Sequence, residues 1–167
     1  VEELIQYFGK SETVLAGHSM GGFVAMYVGC DNHSVSRVAS IFSRPAFTPD
    51  YLREYPDVVW QSTGSKRVRR PLPKGTGYTE FLLPYSFMED QLPYSLFEKV
   101  AQSMKPKLFF CAEDDSVVDP DFVRRAYEIA HEPKQLITLE TDHEYRKNPE
   151  IIRSISEALC TFFLREF

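Results

Sequence analysis

A chain of 167 residues with 43% hydrophobic and 26% charged residues, 11 prolines and 8 glycines has the composition of one compact domain, which excludes a disordered tail or a fibrous repeat. With 24 acidic against 19 basic side chains the net charge is -5, which argues against a nucleic-acid binder, whose contact face is normally basic, and favours a small-molecule partner. The cysteines Cys30, Cys111 and Cys160 are odd in number and widely spaced, so they suit neither a disulfide framework nor a zinc knuckle. They read as core thiols in a reducing, cytoplasmic compartment.

In chain order, Val1, Leu4, Ile5 and Phe8 fall on one helix face, and Gly9 stops the pattern. The apolar run Thr13 to Ala16 then reads as a strand ending at Gly17, and Phe23, Val24, Met26, Tyr27 and Cys30 follow at helical spacing. Residues 13–30 carry no Asp, Glu, Lys or Arg, yet Gly17, Gly21, Gly22 and Gly29 with His18 and Ser19 break the run, so no membrane span is expected. Val38 to Phe42, Leu108 to Cys111 and Gln135 to Leu139 repeat the short buried-strand signature. Asp119-Pro120 and Asn148-Pro149 are N-cap and first-turn pairs, each opening a helix. The second of these helices places Ile151, Ile152, Ile155, Leu159, Phe162 and Phe163 on one stripe. Strands alternating with helices imply an α/β fold: a mainly parallel sheet covered on both faces.

One segment breaks the alternation. Residues 44–106 are rich in proline and aromatic residues without clear strand alternation, so the chain divides into a core part at 1–43, an insertion at 44–106 and a second core part at 107–167. Placed after one strand and before the next, the insertion is expected to cap the C-terminal edge of the sheet, where α/β ligand sites form. Within it, Lys66, Arg67, Arg69, Arg70 and Lys74 form a basic run that reads as a solvated loop, with carboxylate recognition as the alternative. The aromatic residues Phe47, Tyr51, Trp60, Tyr78, Phe81, Tyr85 and Phe87 suit either an apolar pocket or packing within the insertion.

The chemistry concentrates at Gly17-His18-Ser19-Met20-Gly21-Gly22, at a strand-to-helix junction. A Gly-x-Ser-x-Gly turn exposes the serine hydroxyl on a strained backbone that tolerates only small neighbours, and aims a helix N-terminus and the Met20 amide at developing negative charge. A serine alcohol needs a base, and the base needs an orienting acid. His143 follows the last strand, and Asp115 follows the strand before it, both at the same sheet edge as Ser19. Glu113 and Asp114 compete with Asp115 for the acid role. His18 stands beside the turn, whereas His33 and His131 read as ordinary. Asp114, Asp115, Asp119 and Asp121 lack the spacing and glycine of a calcium loop, so no metal is expected.

These motifs resemble the C-terminal part of an α/β-hydrolase-fold serine hydrolase, with GHSMGG at 17–22 in the form found among esterases, lipases and peptidase-like members. KLFFCAEDDSVVDP at 107–120 is similar to the acid-bearing strand and loop, in which the third position after the small residue Ala112 is Asp115. LITLETDHEY at 136–145 resembles the histidine-bearing strand and loop. Residues 85–110 are similar to the run before the acid strand in cinnamoyl-esterase-like hydrolases and their serine aminopeptidase-like relatives. The resemblance implies a Ser19-His143-Asp115 triad, an oxyanion amide at Met20, no cofactor, and a carboxylic ester of small-molecule type as substrate. It also implies that strands one to four of an eight-stranded sheet are missing, and with them the loop that carries the second oxyanion amide. A peptidase or thioesterase of the same fold, and a non-catalytic hydrolase-like module, remain the alternatives.

Overall fold

The computed structural model describes residues 1–8, 12–47, 58–72 and 76–165. They form two compact units, Val1–Ala46 with Ser95–Phe167, and Phe47–Tyr94. The first unit holds α1 (Glu2–Phe8), β1 (Thr13–His18), α2 (Met20–Gly29) and β2 (Val35–Ile41) before the chain leaves it. On return come α5 (Phe97–Gln102), β5 (Lys107–Ala112), α6 (Pro120–Ile129), β6 (Lys134–Leu139) and α7 (Pro149–Leu164). The second unit holds α3 (Val58–Thr63), the strands β3 (Ser65–Pro71) and β4 (Tyr78–Pro84), and the single turn α4 (Ser86–Glu89).

The sheet of the first unit has the order β1-β2-β5-β6, and every neighbouring pair in it is parallel. Parallel strands need crossovers, and the helices between them bury both faces. β5 shows this most plainly, being buried along its whole length. The period of two along a strand sends Phe109 and Cys111 to a cluster with Met26 of α2 and Val123 and Ala126 of α6. Leu108, Phe110 and Ala112 go to the opposite cluster, with Ile155 and Phe162 of α7. The fold class read from the sequence is the one observed. β1, β5 and β6 extend the expected ranges by one or two residues, whereas β2 begins at Val35 and ends at Ile41, leaving Phe42, expected within it, just outside.

Four expectations change. Residues 95–106 belong to the first unit and not to the insertion: Ala46 and Ser95 bridge, Leu96 N–H donates to Pro45 O at 2.8 Å, and Leu96 and Val100 lie in the core. Of the stripe on α1 only Ile5 is buried, and Val1, Leu4 and Phe8 are exposed. Cys160 is exposed on α7, so only Cys30 and Cys111 are core thiols. On the α7 stripe, Ile152 likewise faces outward.

In the second unit β3 and β4 form an antiparallel hairpin that the prolines and charges concealed. The basic run is strand, not loop. Arg67 and Arg69 both bind Glu80 across the hairpin, and Lys66, Arg69 and Arg70 lie over the rings of Trp60, Tyr78 and Phe81. Lys74, Tyr51 and Gly9 lie outside the described residues. Among the described residues no helix is long and apolar enough to cross a membrane.

The N-terminal edge of the sheet is stitched by two lysines. Lys105 Nζ donates to Gly29 O and Asn32 O at the end of α2, at 2.7 and 2.6 Å. Lys107 Nζ, fully buried, donates to Ser103 O and Lys105 O at 2.6 and 2.7 Å. Burial holds both ammonium groups below the ordinary lysine range. They are cationic caps on carbonyls that no helix bond satisfies.

The caps read from the sequence are formed: Asp119 accepts from Asp121 N–H, and Asn148 from Glu150 and Ile151 N–H. Asn148→Ala leaves two amides at the start of α7 without that acceptor, and should cost about 1 kcal/mol. Urea midpoints of the two proteins measure it; an unchanged midpoint would show that α7 is held by its apolar face alone.

Candidate active site

The end of β1 and the start of α2 build the first part of the site. Ser19 has φ 54 and ψ -124, a backbone that L side chains rarely adopt, with a cost of roughly 1–3 kcal/mol. Three hydrogen bonds hold it there. Ser19 N–H donates to Ile41 O at 2.8 Å, and Ser19 O accepts from Gly22 and Phe23 N–H at 3.0 and 3.1 Å. A Cβ on Gly17 would stand 2.2 Å from Gly21 O, and one on Gly22 would stand 2.6 Å from Gly17 O. Only glycine lets the strand end and the first helical turn approach so closely. Gly21 differs from the expectation, since a Cβ there meets nothing within 4 Å.

Asp115 sits in the loop after β5. Its Oδ1 accepts from Val117 and Val118 N–H, both at 2.8 Å, and its Oδ2 accepts from His143 Nδ1 at 2.8 Å. Between them these bonds place the carboxylate and leave its side chain 2% exposed. A carboxylate can only accept here, so Nδ1 of His143 carries the hydrogen and Nε2 is the free acceptor. That Nε2 lies 3.0 Å from Ser19 Oγ. Ser19, His143 and Asp115 therefore form one unbroken hydrogen-bonded chain, with the imidazole buried. Glu113 and Asp114 take no part in it. The Glu113 side chain binds Arg124, and the backbone amides of Glu113 and Asp114 pair with the end of β6 and the loop after it.

Met20 opens α2, and Ser19 stands directly before it, so the amides of the first turn face the serine side of the junction. His18 is half-buried beneath the site. Its Nε2 lies 3.1 Å from the carbonyl oxygen of His143, and the two rings are 4.8 Å apart. Two features were invisible in the sequence. Arg44 Nη2 donates to Val117 O at 2.9 Å, bracing the acid loop, and the Ser43 hydroxyl is buried without a hydrogen-bond partner among the described residues. The aliphatic pair Val117-Val118 carried a signal for the carboxylate's amide partners, whereas nothing in the spacing marked Arg44 or Ser43. Among the described residues no group of three or more His, Cys, Asp or Glu side chains is placed to hold a metal ion.

Comparison with solved structures defines the architecture. No family model and no curated protein matches the chain by sequence. By structure it is similar to the esterase domain of a Rhodothermus marinus protein, with a TM-score of 0.61 and 23% identity over 87% of this chain and 58% of that one. It is similar also to a Paleococcus ferrophilus monoacylglycerol lipase (TM-score 0.68, 16% identity, 97% and 71% covered). A third is an α/β hydrolase from Penicillium sp. sh18 (TM-score 0.72, 14% identity, 97% and 68% covered). The fold is that of the α/β hydrolases, and the chain spans 58% of the Rhodothermus domain's length.

Two outcomes follow from this geometry. Gly17→Ala forces backbone atoms apart and should cost at least about 1–3 kcal/mol, whereas Gly21→Ala, on an open helical position, should gain up to about 1 kcal/mol. Thermal denaturation of the pair checks both signs. Burial, and then the neighbouring His143, hold the His18 imidazole below its ordinary 6.5. As the pH falls below 6.5 the unfolded chain takes up this proton before the folded one does, so the folded state loses stability through that window. Denaturant midpoints above and below 6.5 should converge in His18→Gln; an unchanged pH slope would show that His18 is not the group responsible.

Proposed function

We propose that this chain carries the nucleophile, base and acid of a serine hydrolase that cleaves a carboxylic ester through a covalent acyl-enzyme. The observation that carries this reading is the hydrogen-bonded chain from Ser19 Oγ through His143 to Asp115, closed at 3.0 and 2.8 Å. It begins at a serine held in a strained turn before a helix N-terminus.

In this reading Ser19 Oγ attacks the ester carbonyl as its proton passes to Nε2 of His143. The ionised Asp115, fixed by Val117 and Val118 N–H, holds the tautomer and stabilises the imidazolium. The negative charge on the tetrahedral oxygen falls before α2, where the Met20 N–H donates to it. His143 returns the proton to the leaving alkoxide, and the same imidazole then draws a proton from water as it attacks the acyl-enzyme, releasing the acid and restoring Ser19. Every proton is handled at one nitrogen, so no cofactor enters the scheme. The solved relatives contain a part with no counterpart in this chain, and we assign the second oxyanion amide to it. The neighbours described as an esterase domain and a monoacylglycerol lipase support ester cleavage as the reaction class. We propose further that the insertion read at 44–106 acts through the unit Phe47–Tyr94, residues 95–106 belonging to the core unit.

Intact-mass spectrometry after fluorophosphonate treatment should show one adduct on the parent chain and none on Ser19→Ala, with circular dichroism showing both folded. An adduct retained by Ser19→Ala would remove Ser19 from the mechanism. Asp115→Asn, which permits the wrong tautomer of His143, should slow ester turnover by about 10⁴-fold; a loss of less than about tenfold would displace Asp115 from the acid role.

A further inference from the structure

The nucleophile and the base of the proposed relay follow the outermost strands of the sheet. Ser19 follows β1 and His143 follows β6, with β2 and β5 between them. At the usual spacing of neighbouring strands, about 4.8 Å, the strand axes lie roughly 14 Å apart. The loop that holds His143 must therefore lean across the sheet edge to bring Nε2 to 3.0 Å from Ser19 Oγ. Its other anchors run to its own side. Glu113 N–H donates to Leu139 O, Asp114 N–H donates to Thr141 O, and Glu144 N–H donates to Asp142 Oδ1.

His18 is the contact that pulls from the far side. It is the last residue of β1, directly before Ser19. A carbonyl oxygen can only accept, so His18 Nε2 carries a hydrogen and donates it to His143 O, at 3.1 Å. The ring is also wedged by aromatic neighbours: Tyr145, just beyond His143, at 5.1 Å, and Phe42, at the end of β2, at 6.3 Å. Phe42 is itself fully buried and stands 5.4 Å from Tyr145. The strand that presents the serine thus grips the backbone of the histidine, 125 residues away.

We propose that His18 is a positioning residue for the base: its Nε2–H clamps the His143 carbonyl and thereby sets the Nε2-to-Oγ distance on which proton transfer depends. This rests on the reading of Ser19 and His143 as nucleophile and base. His18 touches neither substrate nor the proton in flight. The clamp works with His18 neutral, because a second positive charge beside the ring that becomes imidazolium would oppose that step. Burial and then the neighbouring His143 ring favour the neutral form, with Arg146 acting in the same direction, while the hydrogen bond to the His143 backbone and Glu144 act against it.

The test compares the chain of 167 residues with His18→Leu, which removes the donor, and His18→Gln, whose side-chain amide restores one. Three quantities are read: the rate of fluorophosphonate labelling, kcat and KM for a p-nitrophenyl ester, and the downfield proton resonance of the His143–Asp115 hydrogen bond. His18→Leu should label and turn over at least about tenfold more slowly, with KM changed less than about threefold. In the same variant the downfield resonance should broaden or vanish, and His18→Gln should recover most of all three. Parental labelling by His18→Leu, or a His18→Gln protein as impaired as His18→Leu, overturns the proposal, the latter by showing that ring packing alone matters. The resonance needs no turnover. If the parent does not label at all, the hydrolase reading fails, while loss of the resonance in His18→Leu and its return in His18→Gln still establish the clamp.

Discussion

The distance between Ser19 Oγ and His143 Nε2 is the constraint on which the rest of this structure turns. The two groups come from strands separated by two others, and they meet only because all four strands run the same way and end at one edge. A parallel sheet collects loops from distant parts of the sequence at its C-terminal edge without any of them having to be long. The loop bearing Asp115 is anchored by the two valine amides and by Arg44. The loop bearing His143 is anchored by the carboxylate and, across the sheet, by His18. What is precise at this site is therefore a property of backbone contacts around the side chains as much as of the side chains themselves.

The opposite edge of the same sheet has a different chemistry. There Lys105 and Lys107 donate to backbone carbonyls at and just beyond the ends of α2 and α5. Among the described residues no carboxylate pairs with Lys107, which is fully buried and held by carbonyl oxygens. A buried ammonium held by carbonyl oxygens is stable only where the geometry supplies several of them. The C-terminal edge holds strain instead, concentrated at Ser19 and at Phe42, whose φ is 47. Each directly follows a parallel strand, and the Phe42 ring stands edge-on to that of His18. Hydrogen bonds from Ser19 to Ile41 and from Phe42 to Phe110 oppose that strain, and the full burial of β5 beside them supplies rigid support.

The second unit follows another logic. Its hairpin carries the excess positive charge of an otherwise acidic chain, yet Arg67 and Arg69 share a single glutamate, and Arg69 and Arg70 cover aromatic faces. Ion pairs this exposed contribute little each, and the cation–aromatic contacts add a comparable amount. The arrangement explains why proline-rich, charge-rich sequence still forms strands: the alternation lies in which ring or carboxylate each cation meets across the hairpin, not in apolar and polar residues.

Much was legible in local sequence because its causes are local. The four short apolar runs, the Asp119-Pro120 and Asn148-Pro149 caps and the glycine-flanked Ser19 each act within a few residues of themselves, so periodicity and capping rules reach them. The candidates Ser19, Asp115 and His143 could be named from their places after strands. Their hydrogen-bonded arrangement, the separation of Asp115 from Glu113 and Asp114, the open space at Gly21 and the clamp of His18 on His143 could not. Nor could the inclusion of residues 95–106 in the core unit or the exposure of Cys160. Each of these depends on which atoms of distant segments come within a few ångströms, and spacing along the chain says nothing about that until strand order and register are set. By itself, then, the sequence determined the four strands of the parallel sheet, the helix caps and the residue types at the sheet edge. Only the tertiary structure decided which of them touch, because contact across a parallel sheet is created by crossovers and not by neighbourhood in the chain.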